Sequence, residues 1–476
     1  MTPDELFALR RDPAEDAAPD ARAEDRFDDE NTLKKDFVRR VQAALEAGEN
    51  EAVYNLVEPL HPADIADLFE LIDADERPEL AKAITDLMGS EVFAELNDHV
   101  RELLIESLPA GEVADIAEQL DTDDAVAMLE DLDEDDQQAV LAEMEPEDRA
   151  AIESALAFPE ESAGRLMSRD FVAVPEHMSV GDLIDYLRNG HDLANEFWEV
   201  FIVDARHHPV GTCALSRILR TPRSAALSAV MAREQTLIPV TMDQEEVALR
   251  FQKYALISAA VVDADGRLVG QITVDDVVHI IQEEAGEDVL LLSGAGDGDI
   301  NEPIHLTIRT RLTWLVVNLG TALVAASVVG LFQGAIARFA LLAVLMPVVS
   351  GMGGNAGTQT LAVIVRALAT NQLTSSNTWR MIVREFAIAS ANGITLGTLI
   401  GLGVGLIFQN PLLGGVIAAA MLINNLVAGL AGILVPLTLD RLKIDPAVSS
   451  AVFVTMATDV MGFFSFLGLA VLSGLA

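Results

Sequence analysis

The sequence of 476 residues holds one cysteine, Cys213, and few basic side chains: 31 Lys and Arg stand against 75 Asp and Glu. A single cysteine excludes an internal disulfide framework and is typical of a reducing, cytosolic environment. The formal net charge of −44 repels nucleic acid and attracts cations, because like charges raise the local concentration of counter-ions. We therefore expect cations, and not nucleic acid, as partners. The acidic N-terminus has no apolar run, so no signal peptide is expected.

The charge is divided unevenly along the chain. From Thr307 onward there are 8 Lys plus Arg and 4 Asp plus Glu, which gives a net charge of +4. The residues before Thr307 hold the other 23 basic and 71 acidic side chains, a net charge of −48. An acidic front is therefore joined to an apolar, slightly basic back. Residues 1–30 are charged and rich in Ala and Pro, and we predict that they are disordered.

Residues 31–158 have apolar side chains at helical spacing, interrupted by short acidic breaks. An eight-residue pattern that begins at Asp64 recurs 48 residues later, at Glu112. Helical repeats that cannot bury a face alone stack on one another, so this segment is predicted to be an acidic, all-α superhelix. The aspartates that follow Leu120 and Leu132 are interpreted as helix N-caps, because an EF-hand calcium loop needs a different spacing.

Residues 159–281 alternate β-branched runs with helical segments. This sequence pattern occurs twice, since residues 202–204 match residues 261–263 at an offset of 59. Two copies of a β-α-β-β-α unit are predicted, an arrangement that resembles a tandem pair of CBS (cystathionine-β-synthase-type) domains. The second copy is similar to the family's nucleotide pattern G-x-x-T-x-x-D, and the first copy lacks both polar groups. By this resemblance ATP is a candidate modulator, and the candidate nucleotide-binding residues are Thr273, Asp275 and Asp276.

The connector, residues 275–305, is acidic. Glu284, Glu287 and Asp288 lie at i, i+3 and i+4 on one face of a predicted helix that also carries Asp276. Like charges packed in this way cost stability unless something neutralises them. A cation-binding face and a plain solvated face remain alternative interpretations.

Residues 306–476 contain five apolar stretches, four of them without any charge, and each is long enough for one bilayer crossing. With the front in the cytosol, seven Lys and Arg fall inside and one, Arg338, falls outside, in agreement with the positive-inside rule. We therefore expect a multi-pass protein of the cell membrane with its C-terminus outside. Gly393, Gly397, Gly401 and Gly405 in the third stretch, at strict four-residue spacing, predict close helix packing. The stretches are residues 312–332, 339–365, 386–408, 412–439 and 447 onward.

The last stretch holds one charge, Asp459, near its middle. A charge at mid-membrane costs roughly 2.5–3.5 kcal/mol on insertion scales, so we expect it to face water, a cation or a polar wall, with packing alone as the alternative. In the second stretch, Pro347 and the run of Gly and polar residues 350–360 predict an interrupted helix beside a wet cavity. The candidate pore-lining residues are Gly351, Gly354, Asn355, Thr358, Thr360 and, from the fourth stretch, Asn425.

Carboxylate and amide oxygens, without His or Cys in any of the five stretches, favour a hard cation such as Mg²⁺, Ca²⁺ or Mn²⁺. Spacing alone does not separate Mg²⁺ from Mn²⁺. The order of superhelix, CBS pair, acidic connector and five spans resembles the MgtE family of magnesium channels, also called transporters. The local motifs that carry the resemblance are residues 353–359 (GGNAGTQ), 444–447 (IDPA) and 458–462 (TDVMG).

The resemblance implies a multidomain, non-enzymatic homodimer with a five-helix, all-α transmembrane domain and a pore on the two-fold axis. Asp459 would be the selectivity carboxylate for Mg²⁺, and cytosolic Mg²⁺ would hold the connecting helix shut as a plug. The metal ligands implied are Asp459, Asp445, Asp276, Glu284, Glu287 and Asp288. One alternative is an ion-coupled secondary transporter of divalent cations such as Mn²⁺ or Co²⁺; another is a membrane-anchored CBS nucleotide sensor.

Overall fold

The computed structural model describes residues 26–29, 31–130, 132–190, 197–293, 301–374, 376–448 and 450–476. At residues 288 and 293 it describes the backbone alone. Most of the segment predicted to be disordered, and the part of the connector at 294–300, lie outside the described residues. The chain forms two compact units, Met1–Val278 and His279–Ala476.

The first part of the described chain is all-α, as predicted. Phe37, Phe69 and Leu104 are buried in one core that the helices share. The sequence repeat is visible in the packing, because α3 lies against α5 and α7, 48 residues later, lies against α9. The helices are α1 Lys35–Glu46, α2 Asn50–Val57, α3 Pro62–Leu71, α4 Arg77–Ala83, α5 Ser90–Glu95, α6 Asp98–Ile105, α7 Ala110–Ala117, α8 Thr122–Glu130, α9 Glu134–Glu143 and α10 Pro146–Leu156.

The CBS region contains two three-stranded sheets, β1-β2-β3 and β4-β5-β6. In each sheet the first pair is parallel and the second antiparallel, and the middle strand has an irregular register at the same place, Ile202/Val203 and Val261/Val262. The predicted repeat is therefore confirmed in the backbone. The elements are β1 Ala173–Pro175, α11 Val180–Asn189, β2 Glu199–Val203, β3 Pro209–Ala214, α12 Leu215–Arg220, α13 Leu227–Val230, β4 Leu237–Pro239, α14 Gln244–Tyr254, β5 Ser258–Val262 and β6 Leu268–Thr273.

A long helix, α15 Val274–Ser293, follows β6 directly. Five helices after it are long and apolar enough to cross a membrane, which confirms the five predicted spans. They extend beyond the uncharged stretches: the third begins at Thr378 and so includes Arg380, Arg384 and Glu385. The spans are α16 Ile304–Leu331, α18 Leu341–Ala369, α19 Thr378–Ile407, α20 Pro411–Arg441 and α21 Ser450–Leu472, with a short helix α17 Gln333–Arg338 after the first.

The predicted interruption of the second span is wrong. Helix α18 is continuous from Leu341 to Ala369 and contains Pro347 in its interior. A proline removes one backbone hydrogen bond, and the close packing of neighbouring helices maintains the remainder. The glycines provide that packing: a Cβ atom at Gly357 would lie 2.6 Å from Val454 Cγ1 of α21.

The glycines of α19 lie against α20, as their spacing predicts. A Cβ atom at Gly397 would lie 2.7 Å from the carbonyl oxygen of Ala418, and one at Gly401 would lie 2.7 Å from that of Gly414. Helix backbones can therefore approach here as only small residues permit.

Candidate functional site

Asp459 of α21 is half-buried and faces the second span. The hydroxyl of Ser350 on α18 donates a hydrogen bond to its Oδ1 atom. Ser350 is the first residue of the run of Gly and polar residues 350–360 that the sequence analysis singled out in the second span. The structure thus brings together the charged group of one span and the polar segment of another.

Asn424 of α20 lies one helical turn from this pair and is 0% exposed. Its Nδ2 atom donates to the carbonyl oxygen of Val349 at 2.9 Å. A Cβ atom at Gly462 would lie 2.8 Å from that Nδ2 atom, and one at Gly353 would overlap it. The Oδ1 atom of Asn424 is buried without a hydrogen-bond partner among the described residues. Three spans therefore meet around one amide, which sequence reasoning did not select.

The candidate pore-lining residues divide between two faces. Gly351, Asn355 and Thr358 are exposed and, at i, i+4 and i+7, share one face of α18. Gly354, which is half-buried, accepts a hydrogen bond from Thr358 Oγ1 at 3.0 Å. Thr360 lies on the opposite face, since its hydroxyl donates to Glu385 Oε2 of α19 at 3.2 Å.

Asn425 also lies away from the exposed face of α18. It is 1% exposed, its Nδ2 atom donates to the carbonyl oxygen of Met421 at 2.9 Å, and its Cβ atom lies next to Gly393 of α19. In the single chain this side chain packs between two helices and does not line an open path.

Glu385 is a second acidic side chain inside a span, and it is 6% exposed. Sequence reasoning missed it because it lies one residue before the third uncharged stretch. A signal for it was present in the sequence, because Glu385 lies directly beside the third uncharged stretch. A helix that begins one or two turns before such a stretch carries the polar residues of those turns into the packed bundle.

The connecting helix α15 carries the candidate ligands Glu284, which is half-buried, and Glu287, which is exposed. The side chain of the third, Asp288, lies outside the described residues. Further along the helix, Leu291 and Leu292 pack on an apolar cluster of the spans. The cluster consists of Leu361, Val365, Ala447 and Val454.

Asp445 lies at the same end of the spans. Its Oδ1 atom accepts a hydrogen bond from the backbone N–H of Ala447 at 2.7 Å, and Ala447 belongs to the cluster that Leu291 and Leu292 contact. The loop that precedes α21 and the end of α15 therefore meet at one place within the second unit.

In the first unit, Asp276 at the start of α15 accepts hydrogen bonds from Thr273 Oγ1 at 2.7 Å and Thr273 N at 3.2 Å. It also lies near the aspartates at the start of α8. Burial raises the pKa of Asp121 to about 6, with repulsion from Asp170, Asp124 and Asp276 adding to the effect. Five carboxylates thus form an acidic cluster between superhelix and CBS pair: Asp121, Asp123, Asp124, Asp170 and Asp276.

Asp123 is a second member of this cluster whose pKa is raised. Burial, followed by repulsion from Asp276 and Asp124, raises its pKa well above the ordinary range. Its Oδ1 atom is buried and makes no hydrogen bond within the described ranges. The sequence-based interpretation of such aspartates as caps is wrong at α9, where Asp133 occupies the N-cap position without a side-chain capping bond.

In the part of the chain that the structure describes, no three His, Cys, Asp or Glu side chains converge as a ready-made metal site. Of the candidate nucleotide-binding residues, Thr273 and Asp276 bond to each other and Asp275 is exposed.

Three known families match the chain in the predicted order. The MgtE intracellular N domain matches residues 60–161, CBS domains match residues 163–223 and 227–283, and MgtE, described as a divalent cation transporter, matches residues 346–469.

Full-length relatives and one solved structure extend the comparison. Magnesium transporter MgtE of Thermus thermophilus is 30% identical over 90% of this chain and 97% of that protein. Its namesake in Enterococcus faecalis is 32% identical over 67% of this chain and 70% of that protein. A solved cytosolic domain of the Mg²⁺ channel MgtE in complex with ATP is 27% identical, covers 51% of this chain and 99% of that one, and superposes with a TM-score of 0.47. The chain belongs to the MgtE family of divalent cation transporters.

Proposed function

We propose that this protein carries Mg²⁺ across a cell membrane along a path that includes Asp459. The observation that carries the proposal is the pairing of this in-membrane carboxylate with Ser350, beside the exposed polar face of α18. Inserting an ionisable side chain at the middle of a span costs about 2.5–3.5 kcal/mol, and a neutral residue could pack there without that cost. The retained carboxylate therefore indicates a function beyond packing.

The groups around Asp459 suit a hydrated, hard cation. The carboxylate of Asp459 and the hydroxyl of Ser350 both present oxygen, the ligand atom that Mg²⁺ prefers. Mg²⁺ dehydrates reluctantly and is usually held by one or two carboxylates through its waters. One Asp459 from each of two subunits meets that need.

A homodimer also accounts for the exposed face of α18. Polar surface in a bilayer must contact protein or water, and the face formed by Gly351, Asn355 and Thr358 is exposed in the single chain. A second copy related by a two-fold axis would enclose a polar path between the two faces. The acidic front would lie in the cytosol and the C-terminus outside.

Regulation by cytosolic Mg²⁺ follows from the acidic cluster at Asp123 and Asp276. The carboxylates repel one another, so an ion that neutralises them favours the arrangement in which they are close. An ion held by several segments binds that arrangement more tightly than a separated one, which is the difference in affinity that a population shift requires.

The connecting helix supplies the route from this cluster to the spans. Asp276 lies near the start of α15, and Leu291 and Leu292 near its end pack on the apolar cluster that includes Leu361 and Val454. An ion that restrains Asp276 would therefore restrain the helix that contacts the spans. Nucleotide binding at Thr273 and Asp275 would act on the same end of α15, with ATP as a modulator.

The test is ion flux into liposomes that contain the purified protein, measured for Mg²⁺, Mn²⁺, Co²⁺ and Ca²⁺ with and without a proton gradient. We expect Mg²⁺ flux that does not depend on the proton gradient and that falls when Mg²⁺ is present on the side of the acidic front. Flux that requires the gradient would identify a secondary transporter, and no Mg²⁺ flux would exclude the proposal.

The regulatory part is tested separately with Glu284→Gln, Glu287→Gln and Asp288→Asn combined. This variant should keep its flux and lose inhibition by Mg²⁺. Normal inhibition would show that these carboxylates form only a solvated face.

A further inference from the structure

A cavity of about 550 Å³ opens between the end of α18 and the start of α19, and three arginines line it: Arg366, Arg380 and Arg384. Its volume falls within the roughly 300–1,000 Å³ that ligand pockets occupy. Arg380 and Arg384 are four residues apart on one helix face, and Arg366 reaches the cavity from the other helix. We propose that this cavity binds the phosphate headgroup of an anionic phospholipid.

The three guanidinium groups have no partner among the residues that the structure describes. None of them donates a hydrogen bond or forms an ion pair with any residue that the structure describes. Three adjacent cationic groups repel each other and repel Mg²⁺, so the ligand that stabilises them is an anion. Guanidinium forks match the oxygens of a phosphate and bind it with charge-assisted hydrogen bonds.

The N-terminus of helix α19 adds to the positive electrostatic potential in the cavity. Asn377 occupies the N-cap position of α19 and lines the cavity, and its side chain does not cap the helix. Its Oδ1 atom accepts instead from Thr374 N at 2.9 Å, and its Nδ2 atom donates to the carbonyl oxygen of Gln372 at 2.8 Å. The N-terminus of a helix carries a partial positive charge, and that of α19 therefore lies beside the arginines.

The surroundings identify the source of the phosphate as lipid. Trp379, Val383 and Phe386 are 74%, 51% and 47% exposed and share one face of α19 next to the arginine face. An exposed tryptophan at the end of a span is typical of the membrane interface, with the apolar side chains beyond it in the acyl-chain region. A headgroup in the cavity would thus have its acyl chains along an apolar helix face. Basic pockets between spans on the cytoplasmic side are known as sites for acidic lipid headgroups.

Trp379 provides the measurement, since Trp198 and Trp314 are the only other tryptophans. The full-length protein with Trp198→Phe and Trp314→Phe is reconstituted in phosphatidylcholine vesicles. Quenching of Trp379 is then recorded as lipid with brominated acyl chains is added, either phosphatidylglycerol or phosphatidylcholine. We expect stronger quenching by the brominated phosphatidylglycerol, saturating at a lower lipid fraction.

Two variants test the arginines in that background. Arg366→Gln, Arg380→Gln and Arg384→Gln combined should lower the apparent affinity for phosphatidylglycerol about tenfold or more, the effect of losing one or more charge-assisted hydrogen bonds. The corresponding triple Lys variant keeps the positive charge that fixes membrane orientation and loses the planar guanidinium groups. Its apparent affinity for phosphatidylglycerol should therefore lie between that of the protein with intact arginines and that of the triple Gln variant. A matched control removes three charges elsewhere, Arg309→Gln, Arg311→Gln and Arg441→Gln, and should retain the preference.

Three results would overturn the proposal. Equal quenching by the two brominated lipids in the protein with intact arginines would exclude a lipid site. An equal loss of the preference for phosphatidylglycerol in the control variant would show that the preference arises from diffuse electrostatic attraction and not from a site at the three arginines. Displacement of the phosphatidylglycerol signal by inorganic phosphate or by soluble glycerol phosphate, with no change in the phosphatidylcholine signal, would identify a free phosphate as the ligand.

Discussion

The hydroxyl of Ser350 on the second span donates a hydrogen bond to Asp459 on the last. The bond fixes the direction of the carboxylate, and because a hydroxyl is neutral it leaves the negative charge available to a cation. Charge and orientation are thus supplied by different residues, and they can be removed one at a time.

Asp459→Asn removes the charge and keeps the shape. We expect Mg²⁺ flux in liposomes to fall by about 100-fold or more, since losing a group that contacts the ion costs at least about 3 kcal/mol. Ser350→Ala removes one hydrogen bond to a charged group, worth roughly 1.5–3 kcal/mol, and should lower flux by about tenfold.

The matched control for the second variant is Ser327→Ala on α16, where the hydroxyl bonds to the carbonyl oxygen of Leu323 in its own helix. It should leave flux unchanged. Undiminished flux in Asp459→Asn, with the protein in the membrane, would remove Asp459 from the ion path.

Gly353 leaves room for the side chain of Asn424, because a methyl group at position 353 would overlap the amide of Asn424. Gly353→Ala should therefore lower the stability of the transmembrane domain by about 1–3 kcal/mol, the usual cost of overpacking. Gly320→Ala, at a helical glycine with nothing within 4 Å of the added Cβ atom, should instead be neutral or stabilising by up to about 1 kcal/mol.

The measurement is the unfolding midpoint temperature in detergent. The combination of Gly353→Ala with Asn424→Ala makes room for the methyl group, so the two changes together should cost less than their sum. Strict additivity would show that the glycine and the amide are not in contact.

The sequence predicted the order of domains, the repeat in the CBS region and the five spans, because each rests on local periodicity or composition. It also singled out Asp459, since one charge in a long apolar run is conspicuous, and the role of this carboxylate in ion passage stays a prediction. It did not separate Asn424 from Asn425: adjacent helical residues point about 100° apart, and only the packing of the spans decides which of the two amides lies against Gly353 and Gly462. The continuity of α18 was missed for a similar reason, as tertiary packing overrides the breaking tendency of Pro347 and the glycines.

The acidic cluster at Asp121 and Asp123 should make the front sensitive to pH when Mg²⁺ is absent. The pKa of Asp121 rises from an ordinary 3.8 to about 6, so the packed arrangement binds a proton that the separated one releases. Its stability is therefore fully present below about pH 3.8 and is lost as the pH rises through 6. Acidification from pH 7 to pH 5.5 should restore it in part.

Hydrogen exchange of the full-length protein measures this effect. After correction for intrinsic rates, protection of α8 should rise on acidification, by at most about tenfold per pH unit for each proton bound. Saturating Mg²⁺ at pH 7 should give similar protection and abolish the pH dependence. Asp121→Asn with Asp123→Asn should be protected at pH 7 without Mg²⁺, while the exposed control Asp75→Asn should behave like the unaltered protein. Equal protection at both pH values without Mg²⁺ would argue against a cation site in the cluster.

Thr360 and Glu385 form another polar contact between spans, and Glu385 is buried there, whereas Thr358 is exposed. Thr360→Val keeps the volume and leaves a buried carboxylate with one partner fewer, so the unfolding midpoint should fall by an amount equivalent to about 1–3 kcal/mol. Thr358→Val is the matched control: its hydroxyl bonds to Gly354 in its own helix, and its loss should cost under about 0.5 kcal/mol. Thr360→Ser restores the donor and should recover most of the stability. If Thr360→Val and Thr358→Val are equally mild, the hydroxyl does not support Glu385, and that carboxylate must be stabilised from elsewhere.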